Sequence, residues 1–308
     1  MKNQPVLQHD LPATYLRRFA IDPNNKKLRS LIWCFRKVHD KYMIEQKSVT
    51  SNLFTTENFY TVDSDEDPFA IENFFAKEVE PRFEMIMKEI SKEKDLTREC
   101  RTNIILWLHY NKLRNSFNRN HIQKMYDMSS MVSLVPKIGI KGFNELKPEL
   151  DKHNLQNAKH IQFSSFIDKN LLETFEKGIS AKHWLFLKSP NDTPFLSSDN
   201  PGFSVHIEED EINFKTLSPS FSTNAAATNY FILSPQYCLV ISPFYKDTPI
   251  EINSSNQVME FKKIGQQHLD IINFCTIRTF SKYLISNKEE MLLKVKAFFI
   301  KQANHKTK

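Results

Sequence analysis

HWLFLKSPNDTPFLSSDNP, residues 183–201, is the stretch on which the fold turns. Trp184 to Leu187 is an unbroken aromatic and branched run, Ser189-Pro190-Asn191-Asp192 is turn chemistry, and Pro194-Phe195-Leu196-Ser197-Ser198 is a second apolar run. Asp199-Asn200-Pro201 closes it. Strand, turn, strand is the reading, because β-branched and aromatic residues bounded by Pro, Asn and Asp suit a pleated surface and its reversals. Tyr230-Phe231-Ile232-Leu233 and Tyr237-Cys238-Leu239-Val240-Ile241 continue the pattern, so residues 183–258 read as a small β region. Between its strands, residues 207–228 are acidic and then Ser/Thr/Ala-rich, which predicts a long surface loop.

Upstream, Leu31 to Phe35 and Asn58 to Val62 read as further strands, the second running into the acidic turn Asp63 to Pro68. Helical periodicity then takes over. Ile71, Phe75, Val79, Phe83, Ile86 and Ile90 form one stripe over 69–93, with Pro81 expected to kink it. Helices follow over 97–119, 121–134, 143–153 and 154–177, and again over 259–287 and 288–303. A short helix is expected from Asp10, taken as N-cap, through Leu11, Tyr15 and Phe19. The expected architecture is α+β: a predominantly helical unit with a small, mainly antiparallel sheet. Its segments are 1–68, 69–182, 183–258 and 259–308, integrated into one domain.

The 308 residues carry 42 basic and 36 acidic groups in alternating blocks; residues 1–60 hold ten basic and five acidic groups, residues 61–90 three and nine. Five glycines never fall at the spacing of a phosphate-cradling loop or a dinucleotide fingerprint, which excludes the common nucleotide folds. Cys34, Cys100, Cys238 and Cys275 form no Cys-x-x-Cys pair, so no zinc ribbon is offered. The first twenty residues lack the apolar core of a signal peptide and no window reaches eighteen apolar residues, so a cytoplasmic protein without a membrane partner is expected.

Three polar clusters carry chemistry. His9 and Asp10 precede a helix that also bears Arg17; an imidazole there can bind an anion or move a proton, or Asp10 simply caps and His9 is solvated. Asn111 and Arg114 share one helix face, where a guanidinium suits an oxyanion; an ion pair with Glu72 or Glu80 is the other reading. Ser198-Asp199-Asn200-Pro201 ends a strand in an Asx-type turn that can present a carboxylate, or can be turn chemistry alone.

In this order the clusters resemble the bacterial family catalogued as domain of unknown function 4238. Its opening signature is matched by His9, Pro12, Tyr15, Leu16, Arg17 and Phe19, with Gln8 standing where the first His is expected and Ala13 where Gln is expected. Asn111-Lys112-Leu113-Arg114 is similar to its Gln-x-x-Arg helix. Trp184, Phe195 to Pro201, Leu233-Ser234-Pro235 and Asn273 follow in family order, so the likeness spans roughly residues 8–287. It implies that His9, Arg17, Arg114 and Asp199 converge.

Two functions answer to this set. One is a hydrolase acting on a nucleotide or phosphodiester, such as an RNA nuclease used as a toxin or defence effector. His9 would be acid or base, Arg17 and Arg114 would stabilise phosphate charge, and Asp199 would orient His9 or serve as base. Asp10, Tyr15, Glu72, Asn111, Ser198, Asn200 and Asn273 would support them. The other is a non-catalytic binding module in which the same residues form a structural network. No cofactor is expected; a Mg2+ on Asp199 with Glu72 or Glu80 is a third reading.

Overall fold

The computed structural model describes residues 7–24, 30–39, 41–57, 59, 70–190, 192–208, 211–243 and 260–306. The strand expected at 58–62, apart from Phe59, and the acidic turn at 63–68 lie outside them. In chain order come β1 (Leu7–His9), α1 (Ala13–Leu16) running into a 3-10 turn (Arg17–Phe19), β2 (Leu31–Val38), β3 (Lys41–Ser48) and β4 (Thr55–Glu57). Helices follow: α2 (Ala70–Phe74), a π-helical turn (Phe75–Val79), α3 (Glu80–Ile90), α4 (Arg98–Arg114), α5 (Ser116–Ile167) and α6 (Lys169–Ser180). The chain then adds β5 (His183–Lys188), β6 (Ser197–Ser198), β7 (Gly202–Glu208), β8 (Glu211–Ser218), β9 (Ala227–Ile232) and β10 (Tyr237–Ser242). It closes with β11 (Glu260–Lys263), α7 (Gln266–Thr279), β12 (Leu284–Ser286) and α8 (Glu289–Lys306).

The α+β class is observed, but the single small sheet is not. Among the described residues the strands form three sheets: β1-β4, a four-stranded β3-β2-β12-β6, and a six-stranded β11-β5-β10-β9-β7-β8. The largest is mixed, since β11 runs parallel to β5 while the other neighbours are antiparallel. Two of the strands missed from sequence, β3 and β8, sit at edges, whereas β7 and β12, also missed, are interior. β3 and β8 are half-exposed and carry Lys, Glu, Asn and Thr, as edge strands do to discourage further pairing, and that dilutes the apolar alternation. Residues 207–228, expected as a surface loop, instead supply the end of β7, all of β8 and the start of β9. The helix expected over 259–287 holds β11 and β12 at its two ends.

The helical half departs in more than one way: the helices expected over 97–119 and 154–177 are broken at Asn115 and Asp168, which are extended and cap the helices that follow. Pro81 lies in the first turn of α3, where its missing N–H has no acceptor to lose, and the irregularity falls in the π-helical turn just before it. The separate helices expected over 121–153 belong to α5, broken only at Gly139, whose φ of 70° suits a residue without Cβ. Asn154 Nδ2 donates to Asp127 Oδ1 at 2.8 Å and Arg119 Nε to Gln162 Oε1 at 2.7 Å, so the two limbs fold back on each other.

One buried cluster joins α1, the α3–α4 pair and the six-stranded sheet, with Leu16, Phe83, Trp107, Trp184, Phe231 and Leu269 all in it. Phe83 and Trp107 stack at 4.3 Å, and Phe231 meets Trp107 edge-on at 4.9 Å. A smaller cluster packs α8 on β2 and β12 through Phe35, Leu284 and Leu292. At the join, Gly202 is obligatory: a Cβ there would stand 2.6 Å from Phe221 and 2.9 Å from Phe231.

Candidate functional site

β1 brings His9 and Asp10 against three other elements. Its register places His9 opposite Thr55 of β4. The His9 carbonyl accepts from Arg114 Nε at 3.0 Å and Nη2 at 2.5 Å, so the guanidinium at the end of α4 holds the backbone of β1. Arg114 is 1% exposed, lies over the Phe75 ring and has Nη1 3.6 Å from Glu80 Oε1. On the solvent side, His9 Nδ1 stands 3.8 Å from Glu72 Oε1, with both side chains about a quarter exposed, at 26% and 27%. Burial opposes ionisation of Glu72, yet His9 and the Arg114 charge hold its carboxyl below the usual range. His9 Nε2 and Glu72 Oε2 are buried atoms without hydrogen-bond partners.

Asp10 does not cap the helix. The N-cap position is Pro12, which has no side-chain acceptor, and α1 begins three residues after Asp10. Asp10 instead accepts from Thr56 Oγ1 at 2.7 Å and from Lys282 Nζ at 2.6 Å. Lys282 ties this end to the Ser-Asp-Asn-Pro turn, because its backbone N–H donates to Asp199 Oδ2 at 3.0 Å.

Asp199 is 4% exposed, and its carboxylate also accepts from the Ser281 and Tyr283 amides at 3.0 and 3.5 Å. Burial raises its pKa to about 6, against the pull of those three amides and of Lys282. Ser198 Oγ accepts from the Asn200 N–H and donates to the Asn200 carbonyl, closing the turn on itself, while Asn200 Nδ2 donates to the Thr279 carbonyl. Asn273 fastens the preceding run: its Oδ1 accepts from Leu196 N–H and its Nδ2 donates to the Pro194 carbonyl. Tyr15 is fully buried, its hydroxyl 2.6 Å from both Ser197 Oγ and the Ile232 carbonyl. Asn111 donates back along α4 to the Trp107 carbonyl. His109, on the same helix, is buried against Phe175 and Tyr110, and burial lowers its pKa to about 4, so it packs as a neutral ring.

The fold therefore brings Glu72 and Arg114 to His9 and links Asp199 to the adjoining Asp10 through Lys282. Arg17 stands apart, in a concavity it shares with Arg18, Glu84 and Ser91. Lys282 was missed, since a lone Lys after a helix carries no pattern, whereas Glu80 stands beside Arg114 as the ion-pair reading expected. Among the described residues, no group of three or more His, Cys, Asp or Glu side chains is placed to hold a metal, and no helix is long and apolar enough to cross a membrane.

No curated protein and no solved structure matches the chain. The model of one family, described as Protein of unknown function (DUF4238), matches residues 7–290, and the chain belongs to that family.

Proposed function

We propose that the protein is a hydrolase directed at a nucleotide or RNA phosphodiester, with His9 and Glu72 as its proton-transfer pair. The observation that carries this reading is the His9–Glu72 contact at 3.8 Å on a partly exposed surface, braced from below by a buried arginine. An imidazole facing a carboxylate is a recurrent acid–base arrangement, since the carboxylate fixes the ring and stabilises its charged form. His9 takes the proton of the attacking hydroxyl or water as that oxygen bonds to phosphorus, and returns it to the leaving oxygen as the second P–O bond breaks. Glu72 orients the ring, the role expected of Asp199. Arg114 is a positioning residue, because two of its nitrogens are committed to the His9 carbonyl.

Incubation with total RNA, tRNA, single-stranded DNA and duplex DNA, with and without EDTA, tests the proposal. His9→Gln and Glu72→Gln should each lose about 10²–10⁴ in cleavage rate while melting as wild type. Cleavage unchanged in both variants would overturn it.

A second reading, the structural network without a reaction, is favoured by Asp199, whose oxygens both face backbone amides in a buried setting. Under it no substrate in the panel is cleaved, and every motif variant loses stability alone.

A further inference from the structure

Two concavities on the side of the molecule that bears Arg17 share one wall, formed by Pro235, Gln236, Tyr237 and Asn287. One, of about 540 Å³, holds Lys188, Lys263 and Lys288; the other, of about 470 Å³, holds Arg17 and Arg18. The two adjoin along that wall as one groove, each half of the size that takes a small organic ligand. Five cationic side chains face three carboxylates, Glu84, Glu93 and Asp192. Two of those carboxylates are occupied: Glu93 accepts from Lys188 Nζ and the Tyr237 hydroxyl, and Glu84 pairs with Arg18. Lys288 Nζ is anchored on the Asp192 carbonyl.

Residues that line the groove also carry unmet hydrogen-bonding capacity. Arg17 Nε, a charged donor, and Asn287 Oδ1, an acceptor on the shared wall, are buried atoms without partners. A buried polar atom left unpaired is costly, and a ligand is one of the things that relieves it. Glu93 and Asp192 hold positive φ of 52° and 60°, a conformation that side chains other than glycine adopt sparingly and that gathers at binding sites.

We propose that this groove binds a nucleotide, with phosphate oxygens accepting from Arg17 and reaching Lys263 and Lys288, and a hydroxyl or base N–H donating to Asn287. Guanidinium and ammonium groups recognise phosphate, and a neutral amide on the shared wall suits the nucleoside half. The assignment uses no residue of the His9 cluster. It therefore stands or falls apart from the cleavage reading.

Calorimetric titration with ADP, AMP, adenosine and pyrophosphate at low and moderate salt tests it on the full chain. ADP should bind with saturation and more tightly than AMP, weaken as salt rises, and keep its affinity in His9→Gln. Lys288→Gln and Asn287→Ala should each weaken ADP binding about tenfold, as the loss of one charge-assisted or buried hydrogen bond requires; Arg17→Gln should weaken it further. Should Arg17→Gln unfold, the first two variants decide. Absence of ADP binding at millimolar concentration, or binding indifferent to both Lys288→Gln and Asn287→Ala, overturns the proposal. Pyrophosphate binding as tightly as ADP would overturn the nucleoside half.

Discussion

Around Asp199 three backbone amides converge on one buried carboxylate; around His9 a single carboxylate stands 3.8 Å away, with a quarter of each side chain open to solvent. Both clusters are motif residues, but burial prevails at Asp199 and raises its pKa, while His9 and Arg114 prevail at Glu72 and lower its own. What separates them is saturation. A buried carboxylate with N–H donors on both oxygens is closed to a substrate, whereas a partly exposed imidazole facing one acid keeps Nε2 uncommitted. The comparison assigns Asp199 to holding the chain together and His9 to reactivity.

Removing the staple should have the largest effect. Asp199→Ala leaves the amides of residues 281–283 without their acceptor, one of them buried and two part-buried, and at about 1–3 kcal/mol for an orphaned buried donor the loss should be about 3 kcal/mol. Urea midpoints measure it; a loss under about 1 kcal/mol would dissolve the distinction between the clusters.

Proton linkage sharpens it next. Asp199 titrates at about 6 in the fold against an ordinary value of 3.8, so the folded state holds its proton more strongly. That contribution is complete below about pH 4 and is lost as pH rises through 6, a change of about 2–3 kcal/mol. Asp199→Asn cannot titrate, so its deficit against wild type should narrow between pH 4 and 7; a constant deficit contradicts the raised value.

Gly202→Ala comes third. With Phe221 and Phe231 inside 3.0 Å of the added carbon, overpacking should cost about 1–3 kcal/mol, read as a lowered melting temperature. Smallest is the effect of His9→Gln or Glu72→Gln on stability, within about 1 kcal/mol for a partly exposed pair. A larger fall would place His9 among the staples.

Sequence carried much of the frame and little of this distinction. Tyr237 to Ile241 was readable as a strand because it is buried on both faces, and Leu31 to Phe35 because its run is apolar throughout although Leu31 itself is exposed; an unbroken apolar run marks such strands. Glu211 to Ser218 was not, because an edge strand with one face in solvent resembles a polar loop. Asp10 looked like a cap because its type and position fit one, yet Lys282, 272 residues away, competes for its carboxylate. The Asp199 turn was legible as a turn; that its carboxylate looks inward depends on the loop at 281–283, which no local pattern announces. His9 and Arg114 were legible as chemistry. Their meeting through a backbone carbonyl was not, since side-chain types say nothing about which main-chain oxygen they will find.

The most direct measurement pairs two readouts on three proteins: cleavage rate on RNA and melting temperature, for wild type, His9→Gln and Asp199→Asn. The account predicts that His9→Gln loses cleavage and keeps its melting temperature, while Asp199→Asn loses melting temperature and retains cleavage below its transition. Cleavage that survives in His9→Gln, or that vanishes in a still-folded Asp199→Asn, would contradict it.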